Sequence, residues 1–158
     1  MRSAPVTPGE DPSARRSFWR RAGCGCLVVA LLPVIGLFLL FMVPIWVNDA
    51  KLNALIDRFE SYPQPPKTYG TESGAEGSIA LRGNGNHCDY RVRLTLSTEL
   101  SVDELTDYYD RADIAGVDAG QPSVTVWTQP SELGASGIRM VIVELNDGTD
   151  AGLDIRCH

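Results

Sequence analysis

The sequence predicts an α+β protein: a single transmembrane helix followed by a small antiparallel sheet of about five strands with one or two helices on one face. Three observations carry this. Residues 22–48 contain no charge, and Leu27–Val47 is a run of 21 residues, apolar apart from Gly36, Pro33 and Pro44. An Asn84-Gly85 pair separates two alternating segments. A capping box, Ser101-Val102-Asp103-Glu104, opens an amphipathic stretch that is followed by further strand-like segments.

The elements follow in chain order. Residues 1–21 read as a disordered basic tail, rich in Pro, Ser, Gly and Ala before the Arg cluster. Residues 22–47 read as the transmembrane helix, because about 20 residues at 1.5 Å rise cross a hydrocarbon core of about 30 Å. The apolar run exceeds the usual length for a cleaved leader, and no small-x-small site follows Val47, so an uncleaved anchor is expected. Ala14–Arg20 has the paired arginines and aromatic of a twin-arginine export signal, but Ala stands where such signals lead with Ser or Thr. Arg15, Arg16, Arg20 and Arg21 precede the run, and Asp49 and Lys51 follow it, which places the N-terminus in the cytoplasm. Trp19 and Trp46 bracket the span at the depths aromatic rings favour, and the two prolines predict a bend.

Residues 48–61 read as a juxtamembrane helix. Leu52, Leu55, Ile56 and Phe59 repeat at i, i+3, i+4, i+7, a stripe expected to pack on the chain's own domain rather than on a partner. Residues 62–77 read as a linker, stiff at Tyr62-Pro63-Gln64-Pro65-Pro66 and glycine-rich after it. The extracytoplasmic domain is expected over 78–158. With Asn84-Gly85 as a two-residue turn, Leu81 faces Cys88 and Ile79 faces Tyr90. Ile79, Leu81, Cys88, Tyr90, Val92, Leu94 and Leu96 then share one face, and Arg82, His87, Arg91, Arg93 and Thr95 the other. The capped helix carries Val102, Leu105, Tyr108 and Tyr109 as its apolar stripe. Ser123–Thr128, Gly137–Leu145 and Asp150–Cys157 read as three more strands, with Asn146-Asp147-Gly148 turning between the last two.

Charge separates the two ends. Residues 1–48 carry five arginines and two acids, whereas residues 49–158 carry nine basic and eighteen acidic side chains. So acidic a domain argues against nucleic acid as a partner. The partners expected are the lipid bilayer, through the apolar helix, and a protein or cell-envelope component.

The chemistry available is sparse. Cys88 and Cys157 fall on core faces in a compartment where disulfides persist, and their bridge would close a loop of about 70 residues, worth roughly 4 kcal/mol. Cys24 and Cys26 sit at the cytoplasmic end of the anchor and read as small helix-end residues. His87-Cys88 and Cys157-His158 suggest zinc, but adjacent strand residues point to opposite faces, so no metal is expected. Asp103, Asp107 and Asp110 read as a solvated helix face, and Asn146–Asp150 lacks calcium-loop spacing. No Gly-x-Ser-x-Gly, Ser-x-x-Lys, phosphate loop or His-Glu-x-x-His occurs. The chain is therefore expected to be non-enzymatic, with no cofactor. Its expected binding face is Arg82, His87, Arg91 and Arg93, joined by Trp127, with Arg139 a further candidate. A small-molecule or ion sensor on that face is the alternative, and a carboxylate-based envelope hydrolase a third reading.

The Arg20-Arg21-Ala22-Gly23-Cys24-Gly25-Cys26 junction, the anchor, the Gly83–Tyr109 hairpin and helix, and the excess of Arg over Lys resemble the small single-pass membrane proteins of high-GC Gram-positive bacteria. The resemblance implies an anchored extracytoplasmic domain and no particular activity.

Overall fold

The computed structural model describes residues 12–128 and 137–158, with side chains from Val29 onward. The chain forms two compact units divided between Leu40 and Phe41. One helix, α1 (Pro12–Ser61), runs through both and stays helical at Pro33 and Pro44. Its backbone is helical from Pro12, so the tail expected over 1–21 is already helix in its second half. The separate helices expected over 22–47 and 48–61 are one element. Trp19, the arginine cluster, Cys24 and Cys26 lie outside the described side chains.

In the first unit the apolar side chains from Val29 to Leu40 are exposed. The described part of α1 is long and apolar enough to cross a membrane.

The second unit is an α+β fold. Its strands are β1 (Thr68–Ala80), β2 (His87–Thr98), β3 (Ser123–Thr128) and β4 (Arg139–Asp150), all antiparallel in the order β1-β2-β4-β3. Helix α2 (Val102–Asp110) lies between β2 and β3 in sequence. The end of α1 and α2 pack on one face of the sheet. Leu55 and Phe59 of α1 join Tyr90, Val92, Leu94 and Leu96 of β2, Val141, Val143 and Leu145 of β4, and Leu105 and Tyr109 of α2 in a single core. The apolar stripe read at Leu52, Leu55, Ile56 and Phe59 thus covers the chain's own sheet.

Local chemistry explains most of the elements. Ser101 accepts a hydrogen bond from the Glu104 amide at 3.2 Å, and Glu104 accepts one from the Ser101 amide at 2.8 Å, closing the capping box of α2. The hairpin register is the one alternation required, with Ile79 opposite Tyr90 and Ala80 opposite Asp89. The strands stop short of the Asn-Gly pair, however: β1 ends at Ala80 and β2 begins at His87, so residues 81–86 form a wider loop. Leu81 leaves the ladder because its amide donates to the Arg156 carbonyl at 3.1 Å instead.

Three expectations are corrected. The linker expected over 62–77 ends by Lys67, because Thr68–Gly70 and Ala75–Gly77 pair with β2 on either side of a bulge. Gly77 serves the helix contact: a Cβ there would stand 2.6 Å from Ile56 Cδ1. The turn expected at Asn146-Asp147-Gly148 is strand. Residues 146–150 find ladder partners in His87–Arg91, and Asp147 accepts from the Val117 amide at 2.5 Å. The sheet has four strands rather than five, since residues 151–157 form a turn and a short 3₁₀ helix, Ile155–Cys157. Leu153 and Ile155 are exposed there, and Cys157 alone of the expected face is buried.

Candidate functional site

The disulfide sits at the Asn48 end of the sheet. Cys88 is the second residue of β2 and points into the core, and Cys157 ends the 3₁₀ helix. The two are bonded, as expected, although a 3₁₀ helix rather than a strand face brings Cys157 there. Asp154 lies beside them and is fully buried. It accepts from Asn48 Nδ2 at 2.8 Å and from Arg156 Nη2 at 2.7 Å, and Arg156 also reaches Asp49 at 2.6 Å and the Ile45 carbonyl at 3.3 Å. Hydrogen bonds from Arg156 outweigh the burial penalty and hold the Asp154 carboxyl at about 2. The sulfurs of Cys88 and Cys157 and a carboxylate oxygen of Asp154 fall within 4.8 Å of one another. Bonded sulfurs offer no thiolate, and the carboxylate is already neutralised by Arg156, so this cluster is a structural clamp between α1 and the C-terminus.

The face of the sheet opposite the core carries no helix among the described residues. Strand pairing arranges its side chains in rows. Tyr69, Ser97 and Met140 make one row, and Thr95, Ile142 and Trp127 the next. Glu76, Arg93, Glu144 and Thr125 follow, and then Ser78, Arg91, Asn146 and Ser123. The face therefore grades from an apolar, aromatic end to a charged end. Trp127 is 54% exposed and Tyr69 60%, with Met140 exposed between them.

At the charged end Glu144 is only 5% exposed, although it lies on the open face. Arg93 Nε donates to its Oε2 at 2.6 Å, Asn146 Nδ2 to its Oε1 at 3.0 Å, and Arg91 Nε forms an ion pair at 3.5 Å without hydrogen-bond alignment. Burial alone would raise the Glu144 pKa; the bonds from Arg93 and Asn146 and the charge of Arg91 win and lower it. A recess of about 230 Å³ opens beside Arg93, bounded by Ser73, Gly74, Glu76, Thr95 and Ile142.

The residues singled out from the sequence thus divide. Arg91, Arg93 and Trp127 come together on the open face. Arg82 is committed to the hairpin: its guanidinium donates to the Asp89 carbonyl at 3.0 Å and to Ser78 Oγ at 2.7 Å, and burial with the nearby Arg91 charge lowers its pKa. His87 pairs with Asp89 at 3.2 Å. Arg139 stands opposite Thr98, a fully buried residue, and so belongs to the core side rather than the open face. Glu144 was missed by sequence reading. The signal available was an acid at an outward-alternating position of the Val141–Leu145 run, directly across from Arg93 once the register is known.

A second concavity, about 340 Å³, lies between the end of α2 and β3, with Tyr109, Ile114, Val124 and Leu145 as its apolar wall and Asp110, Gln121 and Ser123 among its polar groups. Asp103, Asp107 and Asp110 are exposed on α2. Comparison of the chain with protein-family models, with curated proteins and with solved structures finds no match.

Proposed function

We propose that this chain is a membrane-tethered, non-enzymatic binding module whose extracytoplasmic domain presents the open sheet face to a protein or cell-envelope component. The carrying observation is that face itself, where exposed Trp127, Tyr69 and Met140 adjoin an ordered Arg91–Glu144–Arg93 cluster. Aromatic residues and Arg are the side chains enriched where proteins bind others, and contiguous exposed apolar surface marks such sites. Glu144, held ionised and hydrogen-bonded by arginine, suits orienting those side chains better than general-base work. The orientation proposed, N-terminus cytoplasmic, draws support from the arginines before the apolar run and from a disulfide in the domain that follows it.

The test is in-cell photo-crosslinking of the full chain with a crosslinkable residue at Trp127 and, as control, at Asp107 on α2. A discrete adduct from position 127 alone, lost on charge reversal at Arg91 and Arg93, supports the reading. Adducts of equal pattern from both positions, or from neither, overturn it. The α2–β3 concavity favours a second reading, a small-ligand sensor, which thermal-shift screening of the full chain would detect as a ligand-dependent rise in Tm.

A further inference from the structure

The open face has a polarity of its own. Arg93 donates to Glu144 through Nε, and the ion pair of Arg91 with Glu144 also runs through Nε. Among the described residues, no hydrogen bond reaches an Nη nitrogen of either arginine. Arg93 is 49% exposed in its side chain and Arg91 28%. Two arginines, each leaning on Glu144, therefore stand at alternate positions of one strand, with Cα atoms about 7 Å apart by strand geometry. Carboxylates at alternate positions of an extended peptide repeat at the same spacing, and each fits the planar fork of an arginine. Beyond Arg93 the same face continues into Ile142, Trp127 and Met140. A bound strand would find apolar contacts there, after its acidic pair.

We propose that the occupant of this face is an extended acidic peptide segment, with Asp or Glu at two alternate positions followed by apolar residues. The proposal rests on the binding-module reading and names its partner's chemistry. Ile142 and Met140 favour a peptide, since a uronic-acid polysaccharide has carboxylates but no branched apolar groups for that end of the face. The acids elsewhere on the domain weaken the attraction little, because charges more than about 10 Å away are largely screened at 0.1 M salt. Two nearer acids are already engaged, Glu144 by both arginines and Asp89, two residues before Arg91 on the same face, by His87 and the Arg82 amide; Glu76 is the exception, since it borders the Arg93 recess and opposes an incoming carboxylate.

That exception supplies the decisive variant. Full-length protein in neutral phosphatidylcholine nanodiscs is titrated with fluorescent nine-residue peptides of alternating Glu and Val ending in Leu-Leu, and with matching Gln and Lys versions. The expected result is that the Glu peptide binds at least about tenfold more tightly than the Gln peptide, the effect of a charge-assisted hydrogen bond. Arg93→Gln should weaken it about tenfold. Glu76→Gln should tighten it by about threefold while leaving the Gln peptide unchanged. Arg93→Gln leaves Glu144 less well paired and could unfold the domain; Glu76→Gln carries no such risk. Equal affinity for Glu and Gln peptides, or no gain from Glu76→Gln, overturns the proposal. A polyuronate that competes at lower carboxylate concentration than the peptide overturns it in favour of an acidic glycan. Crosslinks from position 127 to a partner without an acidic segment overturn the acidic-peptide inference while the binding-module reading stands; no crosslinks and no peptide binding overturn both.

Discussion

Single side chains decide how the C-terminus is held. Asp154 is fully buried and charged, a combination that is stable only because Arg156 and Asn48 satisfy it. Its carboxyl falls from 3.8 to about 2 in the folded state. A depressed carboxylate contributes stability above its unfolded pKa and loses it as pH falls through the folded value. The clamp should therefore contribute about 2 kcal/mol at neutral pH, lost between about pH 4 and pH 2. Asp154→Asn should lower Tm at pH 7 and flatten the loss of Tm across that acid range. Thermal unfolding of the full chain at a series of pH values checks both. Arg156 sits between two carboxylates, Asp154 first and Asp49 second, and its pKa is raised accordingly, so it stays charged throughout.

At the scale of elements, two junctions carry the fold. Ser101→Ala removes the hydroxyl that accepts from the Glu104 amide, leaving the Ser101 amide bonded to the Glu104 carboxylate, and should cost about 1 kcal/mol, read as a lowered urea midpoint with unchanged m. Gly77 is where α1 lies on β1, with Ile56 and Leu52 over the bare backbone. Gly77→Ala asks two flexible side chains to shift, whereas Gly77→Val forces a larger displacement. The valine variant should lose about 1–3 kcal/mol by chemical denaturation, and more than the alanine variant. Both positions were legible as residues in the sequence, but only Ser101 declared its role. The capping box is local chemistry over four residues. Gly77, in a Gly- and Ser-rich stretch, looked like linker because its reason for being glycine lies on a helix some twenty residues earlier.

The second unit as a whole is held by one long loop closure. Cys88 and Cys157 are 69 residues apart, and their bond constrains the unfolded chain by about 4 kcal/mol. Cys157→Ser should lower the denaturation free energy of the full chain by about that amount, as should reductant on the unchanged protein. An alkaline phosphatase fused after His158 should be active if the domain lies outside the cytoplasm, and inactive if the chain is inserted the other way. An inactive fusion would remove the oxidising compartment on which the disulfide argument leans.

The amino-acid sequence by itself determined whatever rests on local or strictly periodic chemistry. The apolar run, the capped helix, the register of Ile79 opposite Tyr90 and the core face of Cys88 follow from spacing alone, whereas Cys157 is buried by a 3₁₀ helix in place of the strand its spacing predicted. Tertiary structure alone decided the rest. Thr68–Gly77 became a strand because β2 had an unpaired edge and α1 needed a bare backbone beneath it. Residues 146–150 stayed in the ladder because the start of β2 gave them partners, overriding their turn composition. Arg82, Arg91 and Arg93 look alike in sequence. Asp89 and Ser78 claim the first, and Glu144, 51 residues beyond Arg93, holds the other two. Alternation places Arg91 and Arg93 on the outer face, but which partner holds each arginine depends on residues brought across the sheet, and no local pattern encodes that.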